Sequence, residues 1–451
     1  MSNLRRLLSP PDGRSLRSRS RTIRFASACD SIVALPDASS AGMTLFAKNS
    51  DRMPADECQP LCALGSVQYE TGSRVRCQYI EIDQVRHTHA LLLSRPYWLW
   101  GGEHGVNEHA VAIGNQTIFT RDPVAASGLC GMDLVRLGLE RAERAEAAVE
   151  IIIGLIERYG QGGSGFVHVD WPYHNSFLIA DPSEAWLLET SARNWAARRI
   201  ERCGAATNHV TIATDWTTLS ADCRDHARSE GRLVERDGRL DFAGSYRDSA
   251  TIPPVVSSGR YAASTSALAA RDGRLTVSDF QRIMRDHYDS GEVYRPGVSP
   301  EDERFFCLCR HDEAGPTTAS MVAELSDTAQ MPVLCRVAFG NPCLAPYIPV
   351  FPAALIPAPM TTGGGEMKSG GAWWRFKRLV DCVATDCESR GPLVRERWRP
   401  LEIELEQAAL ELRARIGGCT DSASRSQLTD FMEGAWSRVS VELDRLLTEL
   451  A

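Results

Sequence analysis

The chain is 451 residues long, with 43% hydrophobic and 24% charged residues and a formal net charge of −8, which allows two or three domains and excludes a disordered, collagen-like or membrane-embedded protein. Its richest apolar run, Ala147 to Ile156, is short and contains Glu150 and Gly154, so no segment approaches the roughly 18 residues of a bilayer span. Residues 1–28 hold seven Arg and one acid, Asp12, so the remainder carries −14; an acidic body offers no footprint for a phosphate backbone, which argues against nucleic acid as a partner.

The Arg- and Ser-rich segment 1–28 is open to several readings: a transit-like segment, a propeptide, a disordered leader, or a start codon placed too far upstream. Ser31 to Leu35 and Met43 to Ala47 flank the turn-rich stretch 37–42 and predict a β-hairpin. Further strands are expected over Val75 to Ile82, Ala90 to Ser94, Val111 to Asn115, Phe177 to Ala180, Ala185 to Glu189 and Ala196 to Ile200. Two helices interrupt them, Met132 to Arg144 and Ala145 to Tyr159, with Gly160 as a stop signal. Strands, two helices, then more strands point to a layered α+β fold rather than repeated βαβ units. The Pro- and Gly-rich stretch 356–371 predicts a linker, and 372–451 a helical appendage or oligomerisation arm with amphipathic runs at Leu401 to Ile416 and Met432 to Leu450. The Gly-rich stretch 160–165 follows a helix instead of preceding one, so it predicts a flexible loop and not a phosphate cradle.

Fourteen Cys are scattered through the chain without a secretory signal, which predicts reduced thiols in a cytoplasmic compartment. The closest pairs, Cys307 with Cys309, Cys58 with Cys62 and Cys382 with Cys387, form no CxxC motif and draw no cluster of His, so ligand spacing alone predicts no metal. If the hairpin turn centres between Ser39 and Ser40, Cys29 lies opposite Ser50 and beside Asn49 and Asp51. Lys48 and Arg52 then make an electropositive setting that would lower the thiol pKa.

Cys29-Asp30-Ser31-Ile32-Val33-Ala34-Leu35-Pro36 followed by Phe46-Ala47-Lys48-Asn49-Ser50-Asp51-Arg52 closely resembles the opening of the secernins and related cysteine dipeptidases, a branch of the N-terminal-nucleophile (Ntn) hydrolases. Similar blocks continue in order at 79–85, 93–101, 105–109, 131–141, 159–163, 173–181 and 317–321. The resemblance implies an αββα four-layer sandwich in which Cys29 becomes the first residue of the mature chain, with 1–28 as the propeptide. The α-amine so exposed, with an ordinary pKa near 7.7 to 8, can take the proton of its own thiol, and no separate His is needed. By the same resemblance Asp51 would hold the α-amine, Asn208 would supply an oxyanion donor with Asn115 as the second, and Arg260 would steady the polar group. Lys48 stands where many relatives carry Arg, which keeps a cation near the thiolate and removes the planar fork.

These readings give a cofactor-independent cysteine amide hydrolase, a dipeptidase acting on small peptides, whose Ntn domain covers 29–355. Its expected partners are a peptide or amide substrate and a second copy docked through the C-terminal helices, with neither nucleic acid nor membrane. The alternatives are an Ntn hydrolase or acyltransferase acting on a non-peptide amide, and a secernin-like binding or regulatory protein without turnover. His104, His109 and His174 are expected to be core or hydrogen-bonded residues without a catalytic role.

Overall fold

The hairpin opens the first of two antiparallel sheets. In the computed structural model, which describes residues 29–54, 57–250, 256–288, 306–312, 315–367, 370–418 and 421–451, β1 (Cys29–Ala34) pairs with β2 (Thr44–Asp51), Cys29 facing Ser50 and Asp30 facing Asn49. That is the register a turn centred between Ser39 and Ser40 requires. The leader expected over 1–28 lies outside the described residues.

The other strands of the two sheets are β3 (Leu61–Leu64), β4 (Leu91–Ser94), β5 (His104–Asn107), β6 (Ala112–Ile118), β7 (His174–Ala180), β8 (Ala185–Ser191), β9 (Asn194–Ile200), β10 (Cys203–Ala206), β11 (Thr218–Leu219), β12 (Thr317–Leu325), β13 (Leu334–Phe339) and β14 (Ile348–Val350). One sheet runs β10-β1-β2-β12-β13-β14 and the other β11-β9-β8-β7-β6-β5-β4-β3. The single strand expected over Val75 to Ile82 is instead a small hairpin of Arg74–Arg76 with Glu81–Asp83. A tight turn closes it, Cys77 N–H donating to the Ile80 carbonyl at 2.9 Å.

Most of the strands are buried on both faces, and the period of two sorts their side chains between two cores. Along β6 and β7, Ala112, Leu178 and Ala180 enter the core between the sheets, while Ile113, Phe177 and Ile179 enter a second core on the other face. That second core is completed by α1 (Gly131–Arg141) and α2 (Ala145–Tyr159), which lie over the outer face of the eight-stranded sheet. Gly160, at φ 74°, ends α2 in a conformation that L side chains rarely adopt. The six-stranded sheet is covered on its outer side by α3 (Ser258–Ala270), α4 (Val277–Met284), α5 (Ala372–Ala384), α6 (Cys387–Ile416) and α7 (Ser422–Glu449). Helix, sheet, sheet, helix is the four-layer α+β sandwich.

The C-terminal helices are therefore an outer layer of the sandwich itself. Trp373 and Trp398 are buried and donate their indole N–H to the Thr318 and Leu344 carbonyls at 2.9 and 3.0 Å. Arg336 on β13, fully buried, pairs with Glu324 on β12 and Glu406 on α6, both at 2.6 Å. α6 starts well before Leu401 and runs through Pro392 and Pro400; a proline ordinarily breaks a helix, which is why sequence periodicity finds only its second half. The start of the stretch expected to be a linker, 356–361, packs against the sandwich. Ile356 and Met360 are buried, and the short helix Ala358–Thr361 lies against β3 of the opposite sheet. Nor is the Gly-rich stretch 160–165 a loose loop: residues 161–165 are buried, the Gly162 N–H donates to the Leu129 carbonyl, and the Leu129 N–H donates to the Gly160 carbonyl, both at 3.1 Å. Among the described residues no helix is long and apolar enough to cross a membrane.

Candidate active site

Cys29 begins β1 at the seam between the sheets and is 4% exposed. Its surroundings divide into a thiol side and a backbone side.

On the thiol side, Sγ lies 3.8 Å from Glu103 Oε2, and that carboxylate bridges two cations, Lys48 Nζ at 2.9 Å and Arg52 Nη1 at 2.5 Å. Arg52 forms a fork onto Glu57 at 2.8 and 3.0 Å and reaches the Gly165 carbonyl at 2.5 Å. Burial would raise the Glu103 pKa, but Lys48 and Arg52 outweigh it and hold the carboxyl down at about 2. Lys48 is pulled down by burial and more than restored by Cys29 and Glu103, so its pKa ends above the usual lysine value.

The Cys29 thiol does not follow the sequence expectation. Burial pushes it up to about 12; Lys48 pulls it down, but Glu103 and Asp51 add to the rise. Arg52 does not make the thiol's surroundings electropositive, because Glu57 and Glu103 neutralise it.

On the backbone side, the Cys29 N–H donates to Asn208 Oδ1 at 2.7 Å. Arg260, fully buried on α3, donates to the same Oδ1 at 2.8 Å, to the Cys29 carbonyl at 3.3 Å and to Asp30 Oδ2 at 2.6 Å. The nitrogen assigned to Asp51 from sequence is thus held by Asn208. Asp51, at the end of β2, accepts from Thr317 Oγ1 at 2.7 Å, and its backbone N–H lowers the Cys29 thiol. Burial raises the Asp51 carboxyl to about 8, Arg310 lowers it and Asp30 raises it further; burial likewise raises Asp30 against the pull of Arg260. Asn208 Nδ2 gives one hydrogen to the Thr117 carbonyl at 2.8 Å, and an amide NH₂ carries two.

The structure brings together Cys29, Lys48, Asp51, Asn208 and Arg260. Asn115 is a correction. Its Nδ2 donates to Asn175 Oδ1 at 3.0 Å, and a Cβ on Gly131, the first residue of α1, would collide with both side chains. Asn115 shares the parity of Ile113 and so faces the helix layer, whereas Gly114 abuts Lys48 and Gln116 bonds Ser31 on the sandwich side. Glu103 was missed. It lies just before β5, between two family-like blocks, and the signal that could have found it is electrostatic: two cations on one buried strand end require a buried acid.

His174 takes the Ala192 N–H at 3.0 Å and contacts Thr120 Oγ1 at 2.7 Å, and His109 contacts His89 at 3.1 Å. Contrary to the expectation that His avoid the close Cys pairs, His311 stands two residues after Cys309, and His287, Cys309, His311 and Cys343 converge in space.

Residues 28–231 match the model of Peptidase family C69. A probable dipeptidase of Latilactobacillus sakei is 21% identical over 282 residues, covering 55% of this chain and 57% of that protein, so the chain spans just over half the length of this curated relative. Among solved structures, a mutant of the conjugated bile acid hydrolase of Clostridium perfringens and the penicillin V acylase of Agrobacterium tumefaciens are each 10% identical with TM-score 0.39. They cover 68% and 72% of this chain and 88% and 86% of their own. The four-layer architecture rests on this chain's own sheets and helices. The matched stretch, residues 28–231, holds Cys29, Lys48, Asp51, Glu103 and Asn208.

Proposed function

We propose that this protein is an amide hydrolase that cleaves dipeptides, with Cys29 as nucleophile once residues 1–28 have been removed. The observation that carries the reading is the placement of the Cys29 nitrogen, 2.7 Å from an Asn208 oxygen that Arg260 also holds, inside a family C69 segment. This is a prepared seat for an α-amine. The dipeptide substrate class comes from the relative's name.

In the maturation step Sγ attacks the Ala28 carbonyl carbon and the Cys29 nitrogen leaves as an amine with a proton. Water then hydrolyses the thioester and releases 1–28 as a carboxylate. In turnover the thiol, kept protonated by burial, gives its proton to the neighbouring α-amine as sulfur attacks the scissile carbonyl. The amine returns that proton to the leaving amine as the C–N bond breaks, and water resolves the acyl-enzyme. The second Asn208 Nδ2 hydrogen supports the oxyanion, and Arg260 keeps Asn208 and the Cys29 carbonyl in register.

Intact mass and N-terminal sequencing of wild type and Cys29→Ala, with a panel of dipeptides and N-acyl amides, test the reading. A wild type that begins at Cys29, an uncleaved variant and Cys29-dependent dipeptide turnover are expected. Turnover of N-acyl amides alone would replace the substrate class. A wild type that begins at Cys29 and hydrolyses nothing in the panel would favour a binding protein on this scaffold.

A further inference from the structure

Four side chains outside the Cys29 site point at one another. His287 follows α4, Cys309 and His311 lie on the segment leading to β12, and Cys343 lies in the turn after β13. His287 Nε2 is 3.2 Å from His311 Nε2, which is 3.6 Å from Cys309 Sγ and 3.1 Å from Cys343 Sγ. One ligating atom from each of the four lies within 4.8 Å of the others. His287, Cys309 and Cys343 are buried and His311 is half-buried.

A single ring nitrogen has either one lone pair or one hydrogen in its plane, so His311 Nε2 cannot make three good hydrogen bonds at these distances. A cation at the centre engages all four atoms at once. Tetrahedral zinc, with Zn–N of about 2.0–2.1 Å and Zn–S of about 2.3 Å, gives ligand-to-ligand edges of about 3.3–3.8 Å, close to the three spacings found here. Two thiolates, two neutral imidazoles and Zn²⁺ sum to zero charge, which suits a buried position. We infer that His287, Cys309, His311 and Cys343 form a closed structural zinc site. Soft thiolate with imidazole selects zinc over the oxygen-seeking divalent ions.

The backbone around the cluster is already knitted. Cys309 N–H donates to the Asp286 carbonyl at 3.2 Å, and Asn341, whose carbonyl anchors the turn carrying Cys343, donates its side chain to the Arg310 carbonyl. Arg310 lies between two of the ligands, its N–H bonds Thr317 Oγ1 at 3.0 Å, and that hydroxyl bonds Asp51. The ion would therefore pin the wall that faces Asp51. The inference does not depend on the hydrolase reading, since metal content and ligand chemistry are read without substrate.

The test is elemental analysis of the full-length protein purified from zinc-supplemented expression, beside His287→Ala and Cys343→Ser. About one zinc per chain in the wild type, lost in both variants, is expected. Should either variant fail to fold, wild type stripped of metal and titrated with cobalt(II) decides, because a 1:1 complex with a thiolate-to-cobalt charge-transfer band and intense tetrahedral bands is expected. Zinc retained by both folded variants, no stoichiometric cobalt binding, a weak octahedral spectrum, or a Cys309–Cys343 disulfide found by peptide mapping would each overturn the site.

Discussion

The two sides of Cys29 hold the same kinds of groups in opposite electrostatic states. On the thiol side one carboxylate, Glu103, lies between two cations, and its pKa is held at about 2. On the backbone side two carboxylates, Asp30 and Asp51, share the field of Arg260 and Arg310, and burial raises both, Asp51 to about 8. Burial is comparable for all three acids, so the balance of neighbouring charges and not depth sets the direction of each shift. A thiol between such sides is kept protonated by burial.

Breaking the thiol side should have the largest effect on stability. Glu103→Gln keeps the shape and leaves Lys48 without its carboxylate and Arg52 with Glu57 alone, and removing one partner of a buried ion network costs about 3–5 kcal/mol. Urea unfolding should show the loss, with an unchanged m-value. A change under about 1 kcal/mol would mean that the triad is solvated in solution, since exposed pairs contribute no more than this.

Arg260→Lys attacks the backbone side. A lysine keeps the charge and cannot hold Asp30, Asn208 and the Cys29 carbonyl together. On the proposed mechanism kcat should fall on the order of 10²-fold, the cost of a misplacement of about an ångström, with a smaller change in KM and a displaced pH profile. An equal fall in stability without the profile change would reduce Arg260 to a structural residue.

The two sides should also part company with pH. The folded-state pKa of Glu103 is below its usual 4.5, so its contribution is complete above that pH and is lost as pH falls toward 2. Asp51 has the opposite sign: its folded pKa lies above its usual 3.8, so the folded state keeps a proton that the unfolded chain releases, and stability falls as pH rises from about 4 to about 8. Stability against pH for Asp51→Asn should be flatter than wild type over that span, and Glu103→Gln should differ from wild type least at the acid end. Parallel curves for wild type and Asp51→Asn would contradict the raised carboxyl.

What was legible in the sequence follows chain distance. The β1–β2 register was readable because only the short connection 35–43 joins the two strands, and it placed Cys29, Ser50 and Asp51 together. Asn208 and Arg260 lie far along the chain and came only through the family resemblance; no local pattern says that β10 leads Asn208 back beside β1. Glu103 escaped because charge balance inside a core is visible only once strands are neighbours. The Cys and His cluster escaped because its members are spread from 287 to 343 and only Cys309 and His311 lie close in sequence, without the paired spacings of a zinc finger.

The smallest predicted effect tests strand phase. Asn115 and Gln116 are adjacent on β6 and point to opposite faces, Asn115 to Asn175 beneath α1 and Gln116 to Ser31 between the sheets. Asn115→Ala should cost about 0.5–1.5 kcal/mol for one lost buried hydrogen bond and leave kcat/KM within about twofold of wild type, a change under about 0.5 kcal/mol in the barrier. Gln116→Ala should act the other way, loosening the interior face against β1 and lowering kcat/KM at similar stability cost. An oxyanion donor would lose about 10²–10³ in kcat on removal. A loss of that size in Asn115→Ala would therefore require β6 to be turned over by one residue in solution, which would expose Ile113 to the sandwich interior and set Ala112 against α1. That exchange would move every side chain of the strand between the two cores.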